Sequence, residues 1–242
     1  MEAFVLCGSK GGTGRTASSV LLAVGLEAIG LYPLHLQVTM PGCPPAIAGA
    51  ENIPYPAESL QDGPTACSSL RQCIKRHPNC ATVVIDLPKQ RIQDIAFHNL
   101  PLAYLIPLRR AAHEIETAVS DYRTLQIRQS DGRDRERKLE TDQTSSWLLP
   151  VGWPPGLELS DYIQTLRMFD TSIEPGNCSP SILIPGIPKI PRHDLDDLIN
   201  GSTFLCSPSL REAATTFART ATSITRSRSH MAKAEAHEPP RS

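Results

Sequence analysis

The sequence predicts an α/β fold, a doubly wound and mostly parallel sheet with helices on both faces. Three observations carry this expectation. Short apolar runs alternate with helix-length stretches along the chain, the order that builds parallel strands joined by crossover helices. Two of these runs, "ATVVIDLP" at 81–88 and "LAYLIPL" at 102–108, are apolar almost without interruption, as strands covered on both faces are. The first run breaks directly into a glycine-rich loop before a helix, at "GSKGGTGRTASS", residues 8–19. At 242 residues and 40% hydrophobic composition, the chain is long enough to bury the core of one such domain.

The elements follow in order. Residues 3–7, "AFVLC", form a short strand. "TASSVLLAVGLEAIG" (16–30) is helix-length, apolar nearly all round and closed by Gly30 with Pro33 beyond, the pattern of a buried helix. "LHLQV" (34–38) reads as the second strand, the proline-rich 40s and 50s as connection, and 65–77 as a helix leading to the strand at 81–88. The strand at 102–108 precedes the helix "AAHEIETAVSDYRTLQI" (111–127), and the polar stretch 128–146, whose charges cancel, reads as a solvated loop. "WLLPVGWP" (147–154) and "SILIPGIP" (181–188) resume the strand pattern around a helix at 159–169. Ser207 as N-cap and Pro208 in the first turn open a last helix. Its apolar stripe is Leu210, Ala213, Ala214, Phe217, Ala218, Ala221 and Ile224. One domain is expected over 1–225, and 226–242, with nothing to bury, as a disordered tail.

Composition sets outer bounds on function. Lys and Arg number 24 against 25 Asp and Glu, so global charge points to no nucleic-acid or membrane partner, and any basic surface must be local. No stretch approaches the ~18 consecutive apolar residues of a membrane span, and the start lacks a basic segment followed by an apolar run, so a cytoplasmic protein is expected. The cysteines show no CxxC spacing and read as free thiols of a reducing compartment. Cys67, Cys73, His77 and Cys80 could supply four metal ligands, but zinc sites use tighter pairs, and ordinary side chains of a helix and its exit are the expectation.

The glycine-rich loop carries the chemistry. Successive backbone N–H groups and the positive end of the following helix attract an anion, and glycines let the main chain approach phosphates closely. Gly11, Gly12 and Gly14 supply that freedom between a strand and a helix, the context such a loop requires. Thr16 is placed to put its hydroxyl on a magnesium ion bridging terminal phosphates. Asp86, at the end of "VVIDLP", lies where a carboxylate would support that ion through water.

"SKGGTGRT" resembles the deviant Walker A motif, KGGxGK[ST], of the ParA/MinD family of dimerising P-loop ATPases, and "VVIDLP" resembles that family's second acidic motif. The later strands and helices match in order and spacing, so the resemblance spans roughly residues 1–225. It implies ATP and Mg2+ as cofactors, with Lys10, Gly11, Gly12, Thr13, Gly14, Arg15, Thr16 and Ala17 around the phosphates and Thr16 and Asp86 at the metal. By the same resemblance Lys10 and Arg15 are the catalytic charges, Lys10 reaching across a dimer to the partner's nucleotide. The adenine would sit around Gly152, Trp153 and residues 185–188. The implied role is plasmid or chromosome partitioning or positioning, as an ATP-bound homodimer acting with nonspecific DNA and a partner protein, and no membrane is expected.

Two departures qualify that implication. Arg15 stands where the family has its main loop lysine, which keeps the charge but replaces a compact ammonium with a wider planar fork. The family's D-x-D-P-Q after the second strand, aligned on Pro41, puts Val38 and Met40 where the acids belong, so the group that orients the attacking water is missing. Weak hydrolysis is therefore expected. A different class is the alternative: a catalytically inactive scaffold on the same fold, recruiting partners in conjugative transfer or another DNA-processing assembly. On the last helix Arg211, Arg219 and Arg226 fall within an arc of about 80° beside the apolar stripe, a candidate DNA contact.

Overall fold

A computed structural model describes residues 1–12, 14–43, 45, 53–63, 66–88, 102–131, 144–173, 180–191, 194 and 207–235, omitting the side chains of 67, 128–131 and 226–235. Six strands, β1 (Glu2–Leu6), β2 (Pro33–Thr39), β3 (Ala57–Gln61), β4 (Thr82–Asp86), β5 (Leu102–Leu108) and β6 (Thr144–Pro150), form one sheet in the order β3-β2-β4-β1-β5-β6. Every pairing is parallel. The described helices are α1 (Arg15–Ala28), α2 (Ala66–Arg76), α3 (Ala112–Asp131), α4 (Leu159–Arg167) and α5 (Pro208–Glu235). This is the doubly wound α/β fold that the alternating pattern predicts.

The pleat of the sheet sorts its apolar residues between two cores. Ala3 and Val5 of β1, with Cys7 just past its end, face a core built with Leu70 and Cys73 of α2, Ile115 and Val119 of α3 and Leu166 of α4. Phe4 and Leu6 face the other side, where Leu21, Leu22 and Leu26 of α1 meet Phe217, Ala218 and Ala221 of α5. Alternation is the ordinary consequence of a two-residue period, and here both faces are dry because both carry helices.

Helices α1 and α5 touch backbone to backbone. A Cβ placed on Gly25 would stand 1.9 Å from the carbonyl oxygen of Ala214 and 2.9 Å from the Cβ of Ala218. Glycine weakens a helix interior by about 1 kcal/mol relative to alanine, so its presence here is set by this crossing rather than by helix propensity.

Three expectations about strands are corrected. The stretch read wholly as connection holds β3, an edge strand parallel to β2; its half-exposed "AESLQ" lacks β-branched residues and so carries no strand signal. Strand β6 begins at Thr144, earlier than Trp147, because Ser145 and Ser146 are buried and pair with β5. Residues 181–188 form no strand; they pair with β6 and the residue after it through the isolated bridges Leu148 to Ile182 and Val151 to Ile187. Pro185 and Pro188 offer no N–H to a ladder, which accounts for the interruption. Helix α5 runs to Glu235, past the domain boundary expected near residue 225. Residues 195–206 and 236–242 lie outside the described residues.

Candidate functional site

The site lies at the carboxyl ends of β1, β4 and β5, where the strand order changes direction and open α/β sheets bind ligands. Gly14 is the residue before α1 and adopts φ 88° and ψ 12°, a left-handed conformation that costs a side-chain residue roughly 1–2 kcal/mol. Its carbonyl accepts the first helical hydrogen bond, from Ser18 N at 2.8 Å. The N–H groups of Arg15, Thr16 and Ala17 therefore project from the helix end without intrahelical acceptors. Gly14→Ala is expected to lower unfolding stability by about 1–2 kcal/mol, read from urea titrations, because no neighbour relieves the strain.

Two contacts hold the loop from outside. The Asp121 carboxylate on α3 accepts a hydrogen bond from Ser9 N at 2.7 Å. Arg109, just past β5, donates to the Gly12 carbonyl at 2.9 Å and lies 3.7 Å from Glu114. Cys7, at the end of β1, is fully buried, and burial with the nearby Asp121 charge pushes its thiol well above the usual range. It is a packing residue, not a nucleophile.

Asp86 is the hub of the site. It is 2% exposed, and its Oδ1 accepts Arg15 Nε at 2.7 Å while Oδ2 accepts Thr16 Oγ1 at 2.7 Å and Gln37 Nε2 at 3.3 Å. The Arg15 guanidinium also reaches the Gly8 carbonyl at 3.5 Å. Arg15 is thus folded back along the base of the loop rather than extended over it. A second chain of contacts runs behind: Ser19 Oγ donates to the Thr16 carbonyl at 2.8 Å and lies 3.0 Å from His35 Nε2.

Thr16 and Asp86 do meet, as the candidate metal pair requires. A magnesium ion, however, needs a carboxylate oxygen free for the ion or its water, and here Oδ1 holds the Arg15 charge while Oδ2 takes Thr16 and Gln37. As arranged, these residues do not fit the ion.

A cavity of about 400 Å³ opens beside the loop, with Gly12, Gly14, Ala17 and Ser18 on one wall. Opposite stand Gly152, Ile187 and Pro188, part of the segment expected near an adenine. Arg109, Arg110 and Lys189 add three cations, against Glu114 as the acid. Trp153 and Pro185 instead line a neighbouring cavity of about 530 Å³. Thr13 and the Arg226 side chain lie outside the described residues. Arg211 and Arg219 are exposed on α5, beside a stripe of which Leu210, Ala214, Phe217, Ala218 and Ala221 are buried.

On β2, Val38 is buried in the core and carries no polar group toward the loop. The strand's site-facing residues are His35 and Gln37; there is no acid between Pro33 and Thr39. Gln37, Arg109, Asp121 and Lys189 were not among the expected site residues. Only Gln37 had a readable signal, the strand alternation that sets it opposite Val38. In the cysteine cluster, Cys73 bonds Glu58 at 3.1 Å, and burial, then Glu58, pushes its thiol up to about 11.

Fold and loop together define an α/β protein of the P-loop type. No family model matches the sequence, and no curated protein is similar to it in sequence. Solved structures share its fold. MinD in the MinC:MinD cell division complex of Aquifex aeolicus matches with TM-score 0.60 at 15% identity, covering 92% of this chain and 96% of that one. Apo McdA of Cyanothece gives 0.53 at 17%, covering 91% and 99%. A ParA family ATPase from Chlorobium tepidum gives 0.54 at 10%, covering 90% and 98%. The chain therefore has the fold of the MinD, McdA and ParA ATPases over nearly its whole length.

Proposed function

We propose that this chain is a ParA/MinD-type protein that binds ATP at the loop between β1 and α1, dimerises when loaded, and hydrolyses ATP slowly or not at all. The observation that carries the reading is the aim of the first-turn amides behind left-handed Gly14, beside a cavity lined by Arg109, Arg110 and Lys189. An Asp-to-Ala variant of Cyanothece McdA, which shares the fold at TM-score 0.50, is known as an ATP complex. Lys10, Gly11, Gly12, Gly14, Arg15, Thr16 and Ala17 would surround the phosphates, with Lys10 reaching the partner's nucleotide in the dimer.

The lack of an acid on β2 argues for slow turnover. Positioned polar groups supply about 10²–10³ in rate each, so phosphate release measured with radiolabelled ATP is expected at least about a hundredfold below that of a relative with intact motifs. Turnover at the relative's rate would show that another acid, such as Asp62 beyond β3, orients the water.

The same observation favours a second reading, an inactive scaffold whose ATP-bound form recruits a partner protein in a DNA-processing assembly. Partitioning or positioning of a DNA cargo is the role proposed for the active form, with nonspecific DNA held by exposed Arg211 and Arg219. Replacing both with alanine is expected to remove most DNA retention at low salt in a filter or shift assay. Unchanged retention would assign those arginines to a solvated outer face.

A further inference from the structure

We propose that the site takes its nucleoside polyphosphate free of divalent metal, with resident side-chain cations supplying the charge that magnesium ordinarily brings. The proposal rests on the nucleotide-binding reading above and deepens it. Its first support is the place of Arg15. The guanidinium is held on Asp86 Oδ1 at 2.7 Å, a charge-assisted contact to a carboxylate that is 2% exposed. A dication entering beside Thr16 would have to share that one carboxylate with a fixed positive charge, and like charges in a partly desolvated site repel strongly. Thr16 and Gln37 donate to the second carboxylate oxygen, so both oxygens of Asp86 are already engaged by this chain's own donors.

The second support is independent of Arg15. A metal-free triphosphate carries one of the highest charge densities a cell offers, and a pocket built for it needs cations of its own. The cavity beside the loop is lined by Arg109, Arg110 and Lys189, all exposed, with Arg109 already on the Gly12 carbonyl and 3.7 Å from Glu114, the counterweight. Guanidinium groups meet phosphate oxygens in pairs of parallel hydrogen bonds, a geometry that a magnesium ion already on those oxygens would block.

Calorimetric titration of the full chain with ATP, once in excess EDTA and once in excess MgCl2, tests the proposal. The dissociation constant in EDTA is expected to be lower than in magnesium or within threefold of it. Any larger loss of affinity in EDTA overturns metal-free binding while leaving nucleotide binding intact. Heat in neither buffer overturns the nucleotide reading itself, and this proposal with it. Arg15→Lys, which withdraws the planar fork from Asp86, is expected to make magnesium strengthen ATP binding at least tenfold. If that variant shows the same EDTA-to-magnesium ratio as the parent, the role given to Arg15 is wrong.

Discussion

Gly25→Ala is expected to destabilise the protein by at least about 2 kcal/mol, although alanine is the better helix former. Two effects oppose each other. Helix propensity favours alanine by about 1 kcal/mol, whereas overpacking a filled contact costs about 1–3 kcal/mol and more where the neighbour cannot yield. Here the neighbour is main chain: the added methyl would lie 1.9 Å from the Ala214 oxygen and 2.5 Å from its carbonyl carbon. A rotamer change cannot relieve that contact. The helices must part, and Leu21, Leu26 and Phe217, buried between them and the sheet, lose packing with them. Urea unfolding monitored by circular dichroism reads the loss. Gly63→Ala, where nothing lies within 4 Å, is the control and is expected to change stability by no more than about 0.5 kcal/mol.

Acid is expected to weaken the fold through His35. The ring is fully buried beneath α1, and burial pushes its pKa from 6.5 down to about 3. Nε2 is 3.0 Å from Ser19 Oγ, and Nδ1 has no hydrogen-bond partner among the described residues. Between about pH 6.5 and 3 the unfolded chain therefore holds a proton at this position that the folded chain refuses. Stability from this group is complete above pH 6.5 and falls as the pH drops toward 3, by about 1.4 kcal/mol per unit. From pH 7 to pH 5 the loss amounts to about 2 kcal/mol. His35→Phe keeps a ring in the space and removes the titration, so the variant is expected to lose about 2 kcal/mol less over the same interval in urea titrations at the two pH values. A variant with the parent's pH profile would show that other groups govern acid sensitivity.

Legibility of the fold tracked burial. Strand β5 could be read to the residue, and β1 and β4 nearly so, because strands with helices on both faces must be apolar throughout. Strand β3 could not, since an edge strand with one wet face can be written "AESLQ". The start of β6 was hidden by Thr144, Ser145 and Ser146, polar in type yet seated in the sheet.

The site was legible along the chain and illegible across it. Spacing alone brought Gly14, Arg15, Thr16 and Asp86 to one place. The contact between Arg15 and Asp86 spans 71 positions and is not written in the loop itself. Asp121 and Arg109 reach the loop from α3 and the end of β5, and such convergence depends on strand order, which local pattern does not encode.

The methyl-free crossing at Gly25 also has a mechanical meaning. Two rods keyed together at their main chains have no side-chain spacer between them at this point. The rod that begins at the glycine-rich loop is thereby fastened to the rod whose outer surface carries Arg211 and Arg219.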